Sequence, residues 1–428
     1  MTCGWLEGLP EPPAPRVARG SLRFDMVVIG AGFTGLACAR RLAELYPDAS
    51  VGVLDGARIG AGNAGRNSGF LLDVSFYDAP PPPVQAARTR LQRGGLAELA
   101  RVTAAQGIDC DWQPWGNLYG SLTAAEDRWL SRLAARYGAS GEAVEDWSAA
   151  RMAEVTGSAK FLRGVFHPGT VLVHPAKLVR GLAATLPANV TVFESSRVTA
   201  LSRRSGRIAL RTDDSEVVAE QLFVCANGGT PDLGYGRNRH LKVSTFAAMT
   251  PPLDGLGQGI GNAAPFGLLP CLLGGATLRK TADTRVLVRQ GFAFTPNAPP
   301  SAADTRRFVA QARETLRLRW PELDGVPFDF IWSGVMSLTR NTAQVFGRAA
   351  PNVYVAAFCN GAGNTSGTMA GTLLADLSAG RDSDLLADQT SLPGPRWVPP
   401  DLVSRLIVAL RFAAAHRRLD KACASVRG

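Results

Sequence analysis

At 428 residues, 46% of them hydrophobic and 19% charged, the chain exceeds one ordinary domain and can bury a sizeable core, which excludes a disordered or fibrous protein. Lys and Arg number 46 against 36 Asp and Glu, a net charge of +10, but the arginines are spread along the chain, so no nucleic-acid partner is expected. Seven cysteines without a CxxC pair and only four histidines argue against a disulfide framework or a metal site, and no apolar run is long enough for a transmembrane helix, so a cytoplasmic protein is expected.

Residues 1–23 carry proline and charge where a signal peptide needs an apolar core, and they read as a flexible leader. The strand Met26-Val27-Val28-Ile29 then runs into Gly30-Ala31-Gly32-Phe33-Thr34-Gly35 and a helix toward Tyr46. Gly30 lets the chain reverse, Gly32 opens the backbone to a pyrophosphate, and Gly35 lets helix and strand approach closely. A second strand, Val51–Leu54, ends on Asp55, roughly twenty residues on, where a ribose-binding acid is expected. The pattern predicts a dinucleotide site with the phosphates at the helix N-terminus.

The next run, Gly60 to Gly69, is glycine-rich and holds Arg66, Asn67 and Ser68, a loop suited to phosphate and a planar ring. An amphipathic helix from Val84 then leaves the nucleotide unit. Trp112, Trp115 and Tyr119 read as core aromatics or cavity lining, Thr123 to Glu126 as a capping box, and His174-Pro175 as a helix start in which His174 is a cap rather than a base. Short strands from Val190 end in the apolar Leu222-Phe223-Val224-Cys225 and the small residues Ala226-Asn227-Gly228-Gly229, which let backbone pass beside a cofactor. Residues 241–332 read as a mixed strand and helix segment assigned to substrate. The strand Val353–Phe358 then feeds a second glycine turn, Gly361-Ala362-Gly363-Asn364-Thr365, and a second helix. Two such helix N-termini suit a long cofactor.

The fingerprint, GAGNAGRNSGF, IDCDW, GNLYGS, HPAKLVRGLA and WSGVMSLTRNTAQVFGRAAPNVYVAAFCNGAGNTSGTMAG occur in an order that resembles FAD-dependent oxidoreductases of the D-amino-acid oxidase superfamily, most of all the γ-glutamylputrescine oxidoreductase branch. The resemblance spans about Asp25 to Gly380. It implies an α/β fold in which a Rossmann-like FAD-binding domain (24–90, 160–240 and 333–400) is interleaved with a mixed substrate domain (91–159 and 241–332), with residues 401–428 forming an amphipathic helix and tail. It implies that Asp55 holds the adenosine ribose, Val198 contacts adenine through its backbone, Arg66 to Gly69 lie near the flavin, and Gly361 to Thr365 approach the isoalloxazine. A helix N-terminus there would stabilise charge left at flavin N1 and O2 by hydride arriving at N5.

The implied reaction is oxidative deamination of a primary or secondary amine, the α-carbon giving hydride to non-covalent FAD and electrons passing to oxygen or another acceptor. Met336 stands where amino-acid-oxidising relatives carry a carboxylate-binding arginine, which favours an amine without an α-carboxylate, or a carboxylate held by Arg340 or Arg279. Arg340, Lys280, Trp332 and Met336 are the candidate substrate-site residues, Lys280 as an oxygen-assisting cation. Asn341 and Gln344 also depart from the family pattern. Two alternatives stay open: an amino-acid dehydrogenase delivering electrons to a quinone, and a degenerate FAD-binding subunit.

Overall fold

The computed structural model describes residues 2–75, 80–204, 206–256, 259–272, 274–296, 298–399, 403–404, 407–414 and 417. In chain order the first elements are β1 (Gly20–Ile29), α1 (Phe33–Leu45), β2 (Val51–Leu54), the single turn α2 (Asn63–Arg66), β3 (Phe70–Leu71) and α3 (Pro82–Ala105). There follow β4 (Gln113–Ser121), α4 (Ala124–Ala139), β5 (Glu145–Ser148), α5 (Ala149–Thr156), β6 (Arg163–Leu172), α6 (Pro175–Ala184), β7 (Val190–Phe193), β8 (Ala200–Arg204), β9 (Arg207–Arg211) and β10 (Ser215–Val224). The rest comprises β11 (Leu241–Met249), β12 (Phe266–Leu268), β13 (Thr277–Lys280), β14 (Val286–Phe294), α7 (Ala302–Arg319), β15 (Phe330–Leu338), β16 (Val345–Ala350), β17 (Val353–Ala357), α8 (Thr365–Ser378) and α9 (Asp384–Ser391).

Three sheets organise these elements. The first runs β16-β17-β10-β1-β2-β7, with β17, β10, β1, β2 and β7 parallel and the β8–β9 hairpin joined to β10. The parallel strands are apolar on both faces, as a sheet covered on both sides requires. One face packs Val28, Val53 and Phe223 against α1, α6 and α8; the other packs Val27, Leu54 and Val224 against the hairpin. Helices α1 and α8 approach so closely that a Cβ on Gly371 would run into Thr34 O. This brings the two glycine turns, 330 residues apart in sequence, to one end of the sheet.

The second sheet joins β3, β6, β4 and β5; the third runs β12-β13-β14-β11-β15 with α7 on one face. Two expected boundaries move as a result. Residues 163–172 pair with β4 rather than with the nucleotide sheet, and Phe330–Leu338 is one unbroken strand paired along β11, so no boundary falls at 332/333. Local patterning marks where a strand lies but not which sheet it joins, and a strand hydrogen-bonds wherever an edge of matching register is offered.

The expectation of a flexible leader over residues 1–23 is not met where the structure describes it, because residues 2–23 are packed against the body. Cys3 and Trp5 are buried in a cluster with Ala247, Leu287 and Trp332, and Trp5 Nε1 donates to Asn67 O at 2.8 Å. Farther on, Arg180 donates to Pro10 O, Arg58 to Pro13 O, Glu194 N to Arg16 O, and Ala18 N to Ser196 Oγ; β1 itself begins at Gly20. The prolines make this segment an extended strap whose carbonyls are met by arginines of the body.

At the far end, the described residues 407–414 are helical, and Phe412 stacks on Phe292 with ring centroids 5.4 Å apart. Leu402, Leu406 and 418–428, part of the expected C-terminal helix and tail, lie outside the described residues. Among the described residues no helix is long and apolar enough to cross a membrane.

Candidate active site

The first glycine turn is built by three different steric demands. Gly30 has φ +103°, and a Cβ there would sit 2.6 Å from Cys225 O at the end of β10. A Cβ on Gly35 would run into Gly30 O, so the helix can rest on the turn only without one. At Gly32 the nearest atom to such a Cβ is Ala64 Cβ at 3.9 Å, leaving the backbone open to a ligand. Asp55 braces the turn: Oδ2 accepts from Ala31 N at 2.7 Å and Oδ1 from Ala57 N at 2.8 Å. Each carboxylate oxygen keeps a lone pair for a further donor such as a ribose hydroxyl. Ser196 N donates to Asp55 O, which brings the neighbouring loop residue Val198 to the same end. Phe33 is buried at the start of α1, and Thr34 lies between α1 and α8.

The loop that follows serves chiefly to bind protein to protein. Asn63 donates through Nδ2 to Val335 O at 2.6 Å and accepts from Val335 N at 2.9 Å, mimicking one rung of a strand ladder against β15. Arg66 NH1 donates to Ser333 O at 3.0 Å, and Trp332 Nε1 donates to Arg66 O at 3.0 Å. Arg66 Nε is buried without a hydrogen-bond partner, a donor suited to a bound acceptor. Asn67 folds back on Ala64 O and accepts from Gly69 N, while Ser68 offers its carbonyl to Arg279.

The second turn meets the first from the other side. Asn364 Nδ2 donates to Asn67 Oδ1 and to Phe70 O, both at 3.1 Å, and Thr365 Oγ1 donates to Leu72 O at 2.8 Å. Phe358, Asn360 and Gly361 have φ of +66°, +51° and +85°, a tightly curved path held by Asn360, whose Oδ1 accepts from Thr339 N at 2.7 Å. Asn227, after Ala226 at the end of β10, accepts from Phe358 N at 3.1 Å. Gly361 is exposed, with Ala362, Gly363 and Asn364 half-buried behind it. Neither α1 nor α8 has a side-chain cap, so amide donors at both N-termini are left for something else.

Uncapped helix N-termini, an open Gly32, an exposed Gly361 and the orphaned Arg66 Nε together fit a long ligand with a pyrophosphate and a polar planar ring. A family model described as "FAD dependent oxidoreductase" matches residues 25–377. The chain belongs to this family. FAD is accordingly its cofactor, and non-covalent binding is typical of the family. Cys359, just before the second turn, is pushed above its ordinary pKa by burial, with its Sγ 3.8 Å from Asn227 Oδ1.

The chain is 25% identical over 84% of its length to an oxidoreductase named OrdL from Haemophilus influenzae, of which it covers 84%. It is 29% identical to the gamma-glutamylputrescine oxidoreductase of Escherichia coli, again over 84% of each chain. Its fold is similar to that of glycine oxidase from Geobacillus kaustophilus, with a TM-score of 0.72 at 19% identity over 85% of this chain and 96% of the other.

The four substrate-site candidates are not brought together. Met336 lies on the face of the third sheet turned toward the second glycine turn, its Sδ 3.9 Å from where a Cβ on Gly361 would be. Trp332 is 1% exposed and belongs to the core beneath the strap. Lys280 points to the opposite face, where Nζ donates to Ile260 O at 2.7 Å, Gly261 O at 2.8 Å and Ala263 O. A lysine committed to three carbonyls is a structural tie. Arg340 is exposed and donates to Trp397 O at 3.2 Å. Arg279, 3% exposed, donates to Ser68 O and Val173 O and covers the Trp5 ring, so it clamps the loop at Ser68 to the start of α6. Asn341 Nδ2 donates to Gly394 O, away from both turns, whereas Gln344 Nε2 donates to Ser366 Oγ, whose hydroxyl in turn donates to Ala362 O of the second turn. His174 caps α6 by accepting from Lys177 N at 3.2 Å, as expected. Among the described residues no group of three or more His, Cys, Asp or Glu could hold a metal.

Arg289 on β14, which the sequence did not single out, reaches the same sheet face as Met336. Its NH2 lies 3.5 Å from Met336 Sδ, and its guanidinium sits 5.7 Å from the centre of the Phe292 ring. The available signal was Gly291 inside an otherwise strand-like run, which marks a bulge.

Proposed function

We propose that the chain oxidises a primary or secondary amine or amino acid, producing an imine that water hydrolyses. FAD held between the two glycine turns would supply the two-electron acceptor for hydride from the carbon next to nitrogen. The observation carrying this reading is the uncapped N-terminus of α8 behind the exposed Gly361, set against the sheet face that holds Met336.

The protein's part is positioning and electrostatics. The α8 amides from Gly363 to Thr365 present partial positive charge where an electron-rich ring must be accommodated. Asn364 and Thr365 fix that helix end to Phe70 and Leu72, so the donors are aimed before substrate arrives. Asn63 and Arg66 hold β15 at a fixed distance from the same turn, setting the height of the substrate space. The Met336 thioether offers a dry, polarisable wall that favours the neutral amine, the form able to give up hydride. The names of the gamma-glutamylputrescine oxidoreductase and glycine oxidase relatives support a C–N donor.

Anaerobic bleaching of the visible flavin band against a panel of amines, amino acids and hydroxy acids tests the reading. Bleaching by hydroxy acids alone would overturn it. Repeating the assay in air distinguishes oxygen from another acceptor.

A further inference from the structure

We infer that the segment from Trp397 to Arg417 docks the protein on an anionic lipid surface, with Val403, Ile407 and Leu410 entering the bilayer interface and Trp397 beside them.

The surface stands out by its apolar exposure. Among the described residues five large apolar side chains are largely exposed, and four of them fall between residues 397 and 410: Trp397 (51%), Val403 (50%), Ile407 (43%) and Leu410 (61%). Single exposed apolar residues are ordinary on a protein surface; four so close together make a patch. The described residues 403–404 and 407–414 are helical. Ser404 and Val408 are buried, and Phe412 stacks on Phe292 of β14, so positions four apart face the body. Val403, Ile407 and Leu410, spaced by four and three, form a second stripe that is open to solvent.

This patch has a fixed base at one end of the third sheet. Val398 N donates to Asn238 O at 2.8 Å just before β11, and Arg340 NH1 donates to Trp397 O at 3.2 Å just after β15. Ser404 Oγ donates to Pro399 O at 2.6 Å, which ties the helix to the tryptophan segment. Phe292 lies near the same end of β14, where Phe294 pairs with Val243. The open stripe is therefore held out from the body rather than folded onto it.

Charge decides the partner. Residues 391–428 hold seven Lys and Arg against two Asp, half of the chain's net charge of +10, and no acid lies between Leu402 and Leu419. Arg396, Arg411 and Arg417 are exposed. Arg239 and Arg340 donate to the carbonyls of Pro395 and Trp397, bonds that neutralise no charge. An apolar stripe with a tryptophan beside it and arginines around it suits a helix lying in the plane of a bilayer. Anionic headgroups meet the arginines while the apolar side chains leave water. A second copy of this face would set two arginine clusters against each other. Nucleic acid would engage the cations and leave the stripe wet.

Co-sedimentation of the FAD-loaded full chain with lipid vesicles tests the docking face. Wild type binds mixed phosphatidylglycerol–phosphatidylcholine vesicles on the order of ten-fold more tightly than pure phosphatidylcholine, and added salt weakens the binding. Ile407→Ser/Leu410→Ser lowers affinity for the anionic vesicles on the order of ten-fold, and Arg411→Gln/Arg417→Gln reduces the preference for them. FAD absorbance and the unfolding midpoint stay at wild-type values in both variants, because the altered side chains are exposed. Brominated lipid quenches tryptophan emission in wild type and less in Trp397→Phe. Failure of wild type to sediment with anionic vesicles, or equal binding by Ile407→Ser/Leu410→Ser, overturns the proposal. So does a wild-type dimer in sedimentation velocity that this double variant abolishes, which gives the face to a second copy, or tighter binding to duplex DNA than to the vesicles.

Discussion

Asn364 Nδ2 donates to Asn67 Oδ1 across 3.1 Å, joining residues 297 positions apart and locking the loop after the first nucleotide helix to the N-terminus of α8. The same amide also satisfies Phe70 O. Replacing Asn364 by Ala leaves a carbonyl and an amide oxygen short of a donor, at a cost of about 1–3 kcal/mol. The expected outcome is a higher dissociation constant for FAD, read from the fluorescence of released cofactor, with a modest fall in the apoprotein's unfolding midpoint. An unchanged FAD affinity would show that the two turns are held by other means.

Gly32 and Gly371 separate cofactor binding from folding. A methyl on Gly32 meets only Ala64 at an ordinary contact distance, so Gly32→Ala should fold with stability within about 0.5 kcal/mol of wild type. The methyl does occupy the space into which a pyrophosphate must come, so FAD content should fall sharply. On Gly371 the methyl would run into Thr34 O and force α1 and α8 apart, so Gly371→Ala should lower stability by several kcal/mol or prevent folding. Circular dichroism and FAD absorbance, read together, check both. Equal FAD content in Gly32→Ala and wild type would sink the assignment of this turn to the phosphates.

The nucleotide end was legible in the sequence because its signals lie close together in the chain. Gly30 takes a positive φ, Gly35 rests on Gly30 O one turn later, and Asp55 braces the turn from the adjacent strand, although the atom that a Cβ on Gly30 would meet, Cys225 O, comes from the far strand β10. The substrate end was not, because its residues meet only through sheet register. Lys280 and Arg279 are neighbours in sequence, yet a strand sends them to opposite faces, one to the carbonyls of 260–263 and the other to the loop at Ser68. Arg340 is placed by a turn at the end of β15 that directs it to Trp397. Arg289 depends on a bulge, whose effect on facing shows only once the partner strand is known.

Two histidines give stability opposite pH dependences. His167 directs Nδ1 at Ala143 O, 2.7 Å away, and Nε2 at Asp73 Oδ2, 3.1 Å away, so both ring nitrogens face acceptors. Burial alone would lower its pKa, but these acceptors outweigh it and raise the value above the ordinary 6.5. Its contribution is fully present below pH 6.5 and is lost as pH rises through the folded value. His174 is depressed to about 4 by burial, and as an accepting cap it must stay neutral. Its contribution is fully present above 6.5 and is lost as pH falls toward 4. Unfolding midpoints measured from pH 4 to 9 should therefore fall at both ends. His167→Gln should flatten the alkaline fall and His174→Asn the acid one; an unaltered alkaline limb in His167→Gln would refute the charged state.

The N-terminal strap should govern cofactor retention although it lies outside the nucleotide fingerprint. Trp5 is 3% exposed, lies under Arg279 and against His174, and holds Asn67 O through its indole nitrogen. Asn67 in turn accepts from Asn364 at the mouth of the second turn. Removing the ring therefore loosens the loop on which that turn rests. Trp5→Phe keeps most of the packing and loses one hydrogen bond, worth about 1 kcal/mol. Trp5→Ala also opens a cavity, for a total of about 3–5 kcal/mol. FAD dissociation constants should rise in the order wild type, Trp5→Phe, Trp5→Ala, whereas a leader without structural function would leave all three equal. Measuring release at a denaturant concentration where all three proteins remain folded separates loosening of the loop from global unfolding.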